Sequence, residues 1–295
     1  MGMTTDQAAS VLRRLGLADD NPRVREVAGG DTSQAFLIRA GGSSVFIKCE
    51  APARSGLLSA EADGLGALAR TGTVRVPAVL GHAGFEVGQG SWLALEALDL
   101  QPRSRSVDQR LGTQLAALHR HRGEAFGWHC DNYLGPAPQS NTSVSSWSEF
   151  FHRHRLAPQI ERLRRACRQR NLEDLTQALL DSWMTLSADH HPEPSLLHGD
   201  LWAGNASALP DGTPVIYDPA VHYGDRECDL AMANLFGGYA ADFFDAYQRA
   251  WPLPDGWQQR RDFYQLYHLL NHANLFGGGY LASVENRMRA LIGRT

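Results

Sequence analysis

"LLHGDLWAGN", Leu196 to Asn205, crowds four unlike groups behind a pair of leucines: the imidazole of His198, the carboxylate of Asp200, the indole of Trp202 and the amide of Asn205. A buried strand has no use for them, because a polar group taken from water without a partner costs free energy. A plain surface turn needs no such combination either. Thirteen residues beyond Asn205, "VIYDPA" ends a short apolar run on Asp218. Oxygen-bearing side chains set out this way can take a proton from a hydroxyl and hold a hard divalent cation. Each also has a plain reading: Asp200 as a turn cap, Asn205 as a turn residue, Asp218 as half of a turn-forming Asp-Pro pair.

The rest of the chain weighs against the plain readings. "VAGGDTSQAFLIRAGGSSVFIKCE", Val27 to Glu50, reads as two strands, about 34–40 and 44–50, joined by Gly41-Gly42. In the second strand Val45, Ile47 and Cys49 point one way, and Phe46, Lys48 and Glu50 the other. A helix over about 57–70 puts Leu57, Glu61, Leu65 and Leu68 on one arc. A carboxylate on that arc needs a partner, and Lys48 is the nearest candidate. The glycine stretch before the first strand, with Gly30, Asp31, Thr32 and Ser33, can cradle an anion through backbone N–H groups and hydroxyls. Alone it is weak, since it matches neither GxGxxG nor GxxxxGK[ST]. A hairpin turn, a snorkelling lysine and a mis-phased helix are the corresponding plain readings.

The order is glycine loop, strand lysine, helix glutamate, Asp-x4-Asn, strand-end aspartate. It is the order of the phosphoryl-transfer machinery in kinases, where HRDxxxxN carries the base and a metal ligand. Asp200 is then the base, Asn205 and Asp218 hold Mg²⁺, and Lys48 with Glu61 positions the phosphates of ATP. His198 is expected to fix the loop by hydrogen bonding rather than to ligate a metal.

The elements suggest an α+β chain, with strands first and helices later. "GSWLALEALDL" at 90–100 reads as a strand running into a connector. Helices are expected near 6–17, 107–121, 147–168, 172–187, 240–250 and 259–275, with a loop-rich stretch at 123–146 and a strand-like "PVIYD" at 214–218. A boundary near residue 98 separates residues 1–98 from residues 99–295. "HRHRLAPQIERLRRACRQR" at 152–170 is expected to be a solvated basic helix face.

With 295 residues, 43% hydrophobic and 20% charged, the composition is that of a globular protein with a sizeable core. The formal charge of −4 argues against a general nucleic-acid binder. No apolar run has the roughly 18 residues of a membrane helix. "MGMTTDQAASVLRRLG" lacks a secretory pattern, and Asp6 stands where myristoylation expects a hydroxyl. Cys49, Cys130, Cys167 and Cys228 form no CxxC pair, so neither zinc nor a disulfide scaffold is expected, and a reducing cytoplasm fits. There is no HExxH and no GxSxG.

"LLHGDLWAGN", "VIYDPAVHYGDRECDLAMANLFGGY", "YQLYHLLNHANLFGGGY", "FGWHCDNYLGPAPQSN" and "WSEFFHRHRL" together resemble the fructosamine kinase, or ketosamine 3-kinase, family. The resemblance runs over most of the chain. HGDLWxxN is its most specific part, since HGD with a later Asp is shared with aminoglycoside and choline kinases. It implies a protein-kinase-like two-lobed fold, with a small β-rich N-lobe and a larger, mostly helical C-lobe. It also implies ATP- and Mg²⁺-dependent transfer to the 3-hydroxyl of a sugar joined to an amine, after which the product falls apart and frees the amine. The expected partner is a small ketosamine or a glycated amine or lysine, with no nucleic acid, no membrane and a monomeric chain. Carried over by position, Gly30 to Ser33 cover the phosphates, and Glu96, Ala97 and Leu98 form an adenine-binding hinge. Trp202 packs on substrate, Asp131 and Asn132 help form its pocket, and Asp229 braces the catalytic segment. Some relatives have cysteine where Asp31 stands, so a loop-to-loop disulfide of that kind is not available here. A related small-molecule kinase and a nucleotide-binding pseudokinase remain the alternatives.

Overall fold

The computed structural model describes residues 3–17, 22–27, 33–85, 89–166 and 172–292. It opens with helix α1 (Thr5–Arg14), started by a reciprocal capping box between Thr4 and Gln7. Five strands follow: β1 (Arg23–Val27), β2 (Gln34–Ala40), β3 (Ser43–Glu50), β4 (Val79–Gly84) and β5 (Ser91–Glu96). They form one antiparallel sheet in the order β1-β2-β3-β5-β4. Helix α2 (Ser55–Arg70) lies between β3 and β4 in the chain.

The period-two alternation of β3 divides this part in two. Val45 and Ile47 pack with Ile38, Trp92 and Ala94 beneath Val11 and Leu12 of α1, and Cys49 lies against that cluster. Phe46 and Lys48 face the opposite way, into a cleft. On α2, Leu57, Glu61, Leu65 and Leu68 are all buried, as the helical arc requires.

The remainder is mainly helical: α3 (Arg105–Leu118), α4 (Trp147–Phe151), α5 (Ala157–Ala166), α6 (Leu172–Leu186), α7 (Glu227–Leu235), α8 (Ala241–Ala250), α9 (Trp257–Phe276) and α10 (Gly279–Ile292). Among them are short two-stranded ribbons. The strands β6 (Asn132–Leu134) and β7 (Ala137–Gln139) pair as a hairpin. Of the next four, β8 (Ser195–Leu197) pairs with β11 (His222–Gly224), and β9 (Ala206–Ala208) pairs with β10 (Pro214–Ile216). A core of Phe151, Trp183, Phe263, Tyr264 and Leu270 binds α4, α6 and α9.

Some expectations need correction. The single helix expected over 147–168 is broken by a π-helical turn at His152–Leu156. That extra residue in the turn rotates Arg155 inward. Arg155 is 1% exposed, and its guanidinium donates to Ser140 O at 2.6 Å and Asn141 Oδ1 at 2.8 Å, so the stretch is not a wholly solvated basic face. The strand expected within 90–100 spans Ser91–Glu96 and then runs into a connector, as its sequence suggested. The stretch 123–146 contains the β6–β7 hairpin, and α7 and α10 add two helices that apolar spacing did not reveal.

Candidate active site

The ribbons β8–β11 and β9–β10 run between the same two segments of chain. The loop from β8 to β9 therefore faces the loop from β10 to β11, and Asp200 and Asn205 meet Asp218 across a shared gap. Backbone bonds lock the crossing: Ala220 N donates to His198 O at 2.8 Å, and Tyr217 N donates to Asn205 O at 3.1 Å. Gly199 makes the closest approach. Its φ is +82°, and a Cβ there would lie 2.1 Å from Ala220 O.

The side chains follow from this crossing. Asn205 Nδ2 donates to Asp200 O at 2.9 Å, with longer contacts to Asp200 Oδ2 at 3.3 Å and Asp218 O at 3.4 Å. Its amide oxygen is then the atom available to a cation. Asp218 has a φ of +58°, alone in positive φ among the described non-glycine residues. Aspartate tolerates that conformation better than most residues. Its carboxylate receives Lys48 Nζ at 2.6 Å, and the same nitrogen donates to Glu61 Oε1 at 2.7 Å. The sequence pairing of Lys48 with Glu61 is thus present, and Asp218 joins it.

Burial and charge shape the protonation of these groups. Burial works against the Lys48 ammonium, but Asp218 and Glu61 outweigh it and raise Lys48 above an ordinary lysine. Burial pushes the Glu61 carboxyl up to about 7, with Asp218 adding to the push and Lys48 opposing it. Asp200 is also pushed up to about 7, first by burial and then by the neighbouring charges of Asp218 and Asp229, while Asn205 works the other way. A carboxylate poised near neutrality suits general-base work.

His198 and Asp229 brace the loop from below. His198 Nε2 donates to Tyr217 O at 3.0 Å, and its Nδ1 accepts from Asp200 N at 3.2 Å. Burial lowers its pKa, which matches the neutral tautomer this pattern requires. Asp229 accepts from His198 N at 2.7 Å and Gly199 N at 2.8 Å. Burial alone would raise its pKa; the His119 hydrogen bond, the nearby histidines and Gly199 N–H hold it below the usual value.

The cleft has a volume of about 570 Å³, within the range of small-molecule sites. Lys48, Glu61, Glu96, Leu98, Asn132, Asp200, Trp202, Asn205 and Asp218 line it. The Glu96 carboxylate is engaged by Arg75 and by Ala78 N, so the backbone beyond it is what this turn offers a ligand. Ala97 lies between the two lining residues Glu96 and Leu98. Trp202 is 36% exposed and lies over Gly204, where a Cβ would meet the indole at 2.3 Å. Asn132 reaches the floor, but its amide donates to Val221 O at 2.7 Å and accepts from Gln139 and Asn141, each at 2.8 Å. Asp131 is not brought to the cleft; it accepts from Asn141 N at 2.8 Å and shapes the hairpin loop. Ser33 Oγ donates to Glu50 Oε1 at 2.5 Å and does not line the cleft. The expectations for Gly30, Asp31 and Thr32 lie outside the described residues.

Sequence reasoning missed Arg103 and His119. Arg103 donates to Asp108, to the carbonyls of Ala203 and Ala206 and to Gly238 O, at 2.6–2.9 Å. It therefore clamps the loop that carries Asp200 and Asn205 from the far side. His119 joins Asp229 at 3.1 Å to Tyr247 at 2.9 Å. Neither residue belongs to a local pattern, so no signal in the chain pointed to them.

An antiparallel sheet over a mainly helical part, with a lysine–glutamate pair and crossed aspartate loops between them, defines a kinase-like phosphotransferase. An aminoglycoside phosphotransferase, APH(4)-Ia, shares that fold with a TM-score of 0.65 at 15% identity, over 96% of this chain and 97% of its own. The family model for fructosamine kinase matches residues 3–294, and the chain belongs to that family. A Synechocystis protein assigned as a ketoamine kinase is 42% identical over 266 residues, 90% of this chain and 88% of its own. A Thermobifida fusca structure assigned as a fructosamine-3-kinase superposes with a TM-score of 0.85 at 34% identity, over 98% of this chain and 100% of its own. As a family member the chain is a phosphotransferase acting on a sugar hydroxyl.

Proposed function

We propose that the protein transfers the γ-phosphoryl group of ATP to the 3-hydroxyl of a ketosamine, a step that leads to release of the amine. The carrying observation is the convergence of Lys48, Glu61, Asp200, Asn205 and Asp218 on one cleft. Relatives assigned as ketoamine kinases support the acceptor class. A fold neighbour crystallised with ADP and hygromycin B supports the donor.

In this reading residues 1–98 bind the nucleotide and residues 99–295 carry the acceptor and the catalytic loops. Phe46 and Leu98 flank the adenine, and Lys48, held by Glu61, points its ammonium at the phosphates. Lys48 also contacts Asp218, so phosphate and carboxylate compete for one cation. Asn205 and Asp218 offer hard oxygen donors of the kind Mg²⁺ prefers, and they face the cleft together. When bound, Mg²⁺ supplies charge neutralisation on the phosphates. Asp200 accepts the proton of the acceptor hydroxyl and orients its oxygen. The Trp202 indole gives the sugar a flat apolar wall. Asp229, His198 and Arg103 hold the loop so that Asp200 need not reorganise.

The test is mass spectrometry of a panel after incubation with Mg-ATP: fructosyl-lysine, ribulosyl-lysine and unmodified lysine. Phosphate added to a ketoamine and absent from lysine is the expected result, with fragmentation locating it at the 3-position. ATP binding without transfer to any ketoamine would overturn the acceptor assignment and leave a kinase with another acceptor.

A further inference from the structure

Outside the cleft, three potential metal ligands of three kinds converge. Asp63 lies on α2, two residues beyond Glu61, and His129 and Cys130 lie on the loop that leads into β6. One ligand atom from each falls within 4.8 Å of the other two, and His129 Nε2 is 3.3 Å from Asp63 Oδ2. Tetrahedral zinc, with bonds of about 2.0–2.3 Å, sets its ligand atoms roughly 3.3–3.8 Å apart. The histidine–carboxylate pair is already at that separation, and the thiol is within a small side-chain adjustment of it.

A further observation points the same way. Trp128 Nε1 donates to Asp63 Oδ2 at 2.7 Å, the kind of outer hydrogen bond that fixes a ligating carboxylate. Cys130 is exposed and so is most of His129, so an ion reaches them from solvent. Among the described residues the other cluster of this type, His190, Asp225 and Glu227, is already engaged by Tyr264 and Arg260.

We propose that Asp63, His129 and Cys130 form a binding site for a soft divalent cation of the zinc class, completed by water. The cation ties α2 to the loop before β6. Gly64 of α2 rests on Pro219 and Val221, just past Asp218, so the same tie presses α2 toward the metal-binding loop of the cleft. Glu61 rides on that helix. The ion therefore stiffens the element that holds the phosphate-positioning lysine.

Cobalt reads the site directly. The full chain, stripped with chelator and desalted, is titrated with Co²⁺. Wild type is expected to take up one equivalent that shows a sulfur-to-cobalt charge-transfer band, and Zn²⁺ should abolish the band. Co²⁺ bound at Asn205 and Asp218 has only oxygen ligands and gives no such band. Cys130→Ser should lose the band. His129→Ala and Asp63→Asn should each weaken the sulfur-linked binding by about 10-fold or more. No sulfur band in saturated wild type, or an equal band in Cys130→Ser, would overturn the proposal. Activity is not needed for any of these readings, so they stand or fall apart from the ketosamine assignment.

Discussion

Replacing Gly199 by alanine tests the crossed-loop geometry with a single methyl group. The added Cβ would start 2.1 Å from Ala220 O, and real Cβ atoms stay beyond 3.0 Å, so the two loops must part by about 1 Å. Alanine at a φ of +82° adds about 1–2 kcal/mol of backbone strain. Parting the loops also weakens the bond from Ala220 N to His198 O and the bond from Gly199 N to Asp229, each contributing about 1 kcal/mol. Together these suggest a loss of about 3 kcal/mol, or a fall in Tm of roughly 5–10 °C for a chain of this size. The catalytic effect should be larger. A displacement of about 1 Å at a reacting group costs on the order of 10²-fold in rate. Asn205 and Asp218 ride on the same loops, so the Mg-ATP dissociation constant should rise too, but the Lys48–Glu61 pair remains in place and the rise should be smaller than the fall in kcat. The assay is ADP release with saturating acceptor, alongside nucleotide binding and a thermal melt. A kcat within threefold of wild type would refute the claim that the Gly199–Ala220 contact sets the position of Asp200.

Asp200→Asn should fold, bind nucleotide and lose about 10²–10⁴-fold in kcat; wild-type turnover would remove Asp200 from the base role. The same variant carries a stability signature. Burial raises the folded-state pKa of Asp200 from 3.8 to about 7, so the folded chain binds the extra proton between those values, and stability falls as pH rises through them. Asp200→Asn should therefore melt higher than wild type at pH 8, with the gap closing below about pH 4; equal melting curves at pH 8 would contradict the burial argument. Lys48→Met leaves Glu61 and Asp218 without their shared cation, a loss of about 3–5 kcal/mol for a broken buried pair, and should abolish measurable ATP affinity in calorimetry. Arg103→Leu should lower kcat at least 10-fold while ATP affinity holds, because its bonds reach the catalytic loop and not the nucleotide side; acceptor and nucleotide titrations separate the two.

Some of this was readable because the chemistry is local in sequence. The ribbon-and-loop residues His198, Asp200 and Asn205 fall within one short stretch, and Lys48 announced its partner through the apolar arc of α2 that carries Glu61. The strands β2 and β3 followed from alternation and a glycine pair. Other features depend on the folded chain. Arg103 clamps carbonyls about a hundred residues away, and a lone arginine in "QPRSRS" gives no hint of them. The π turn that buries Arg155 reads in sequence like any basic helix. Asp131 and Asn132 part ways although they are neighbours: Asn132 lines the cleft while its amide fastens the hairpin, and Asp131 turns away to shape the hairpin loop. Short strands such as β8 and β11 pair through only three residues each, too few for a period to appear.

The two ribbons also decide where this chain can grow. Both crossed loops have their ends fixed by strand registers, so one residue added between His198 and Asn205, or between Tyr217 and Val221, would throw Asp200 and Asp218 out of phase. The turn from β9 to β10 lies at the far end of its ribbon. There Leu209 N donates to Thr213 O at 2.9 Å, Gly212 N donates to Leu209 O at 2.8 Å, and Pro210 and Asp211 face solvent. Length inserted at that tip leaves both registers intact. A reporter or binding module carried there would sense the joint between the loops without entering the cleft.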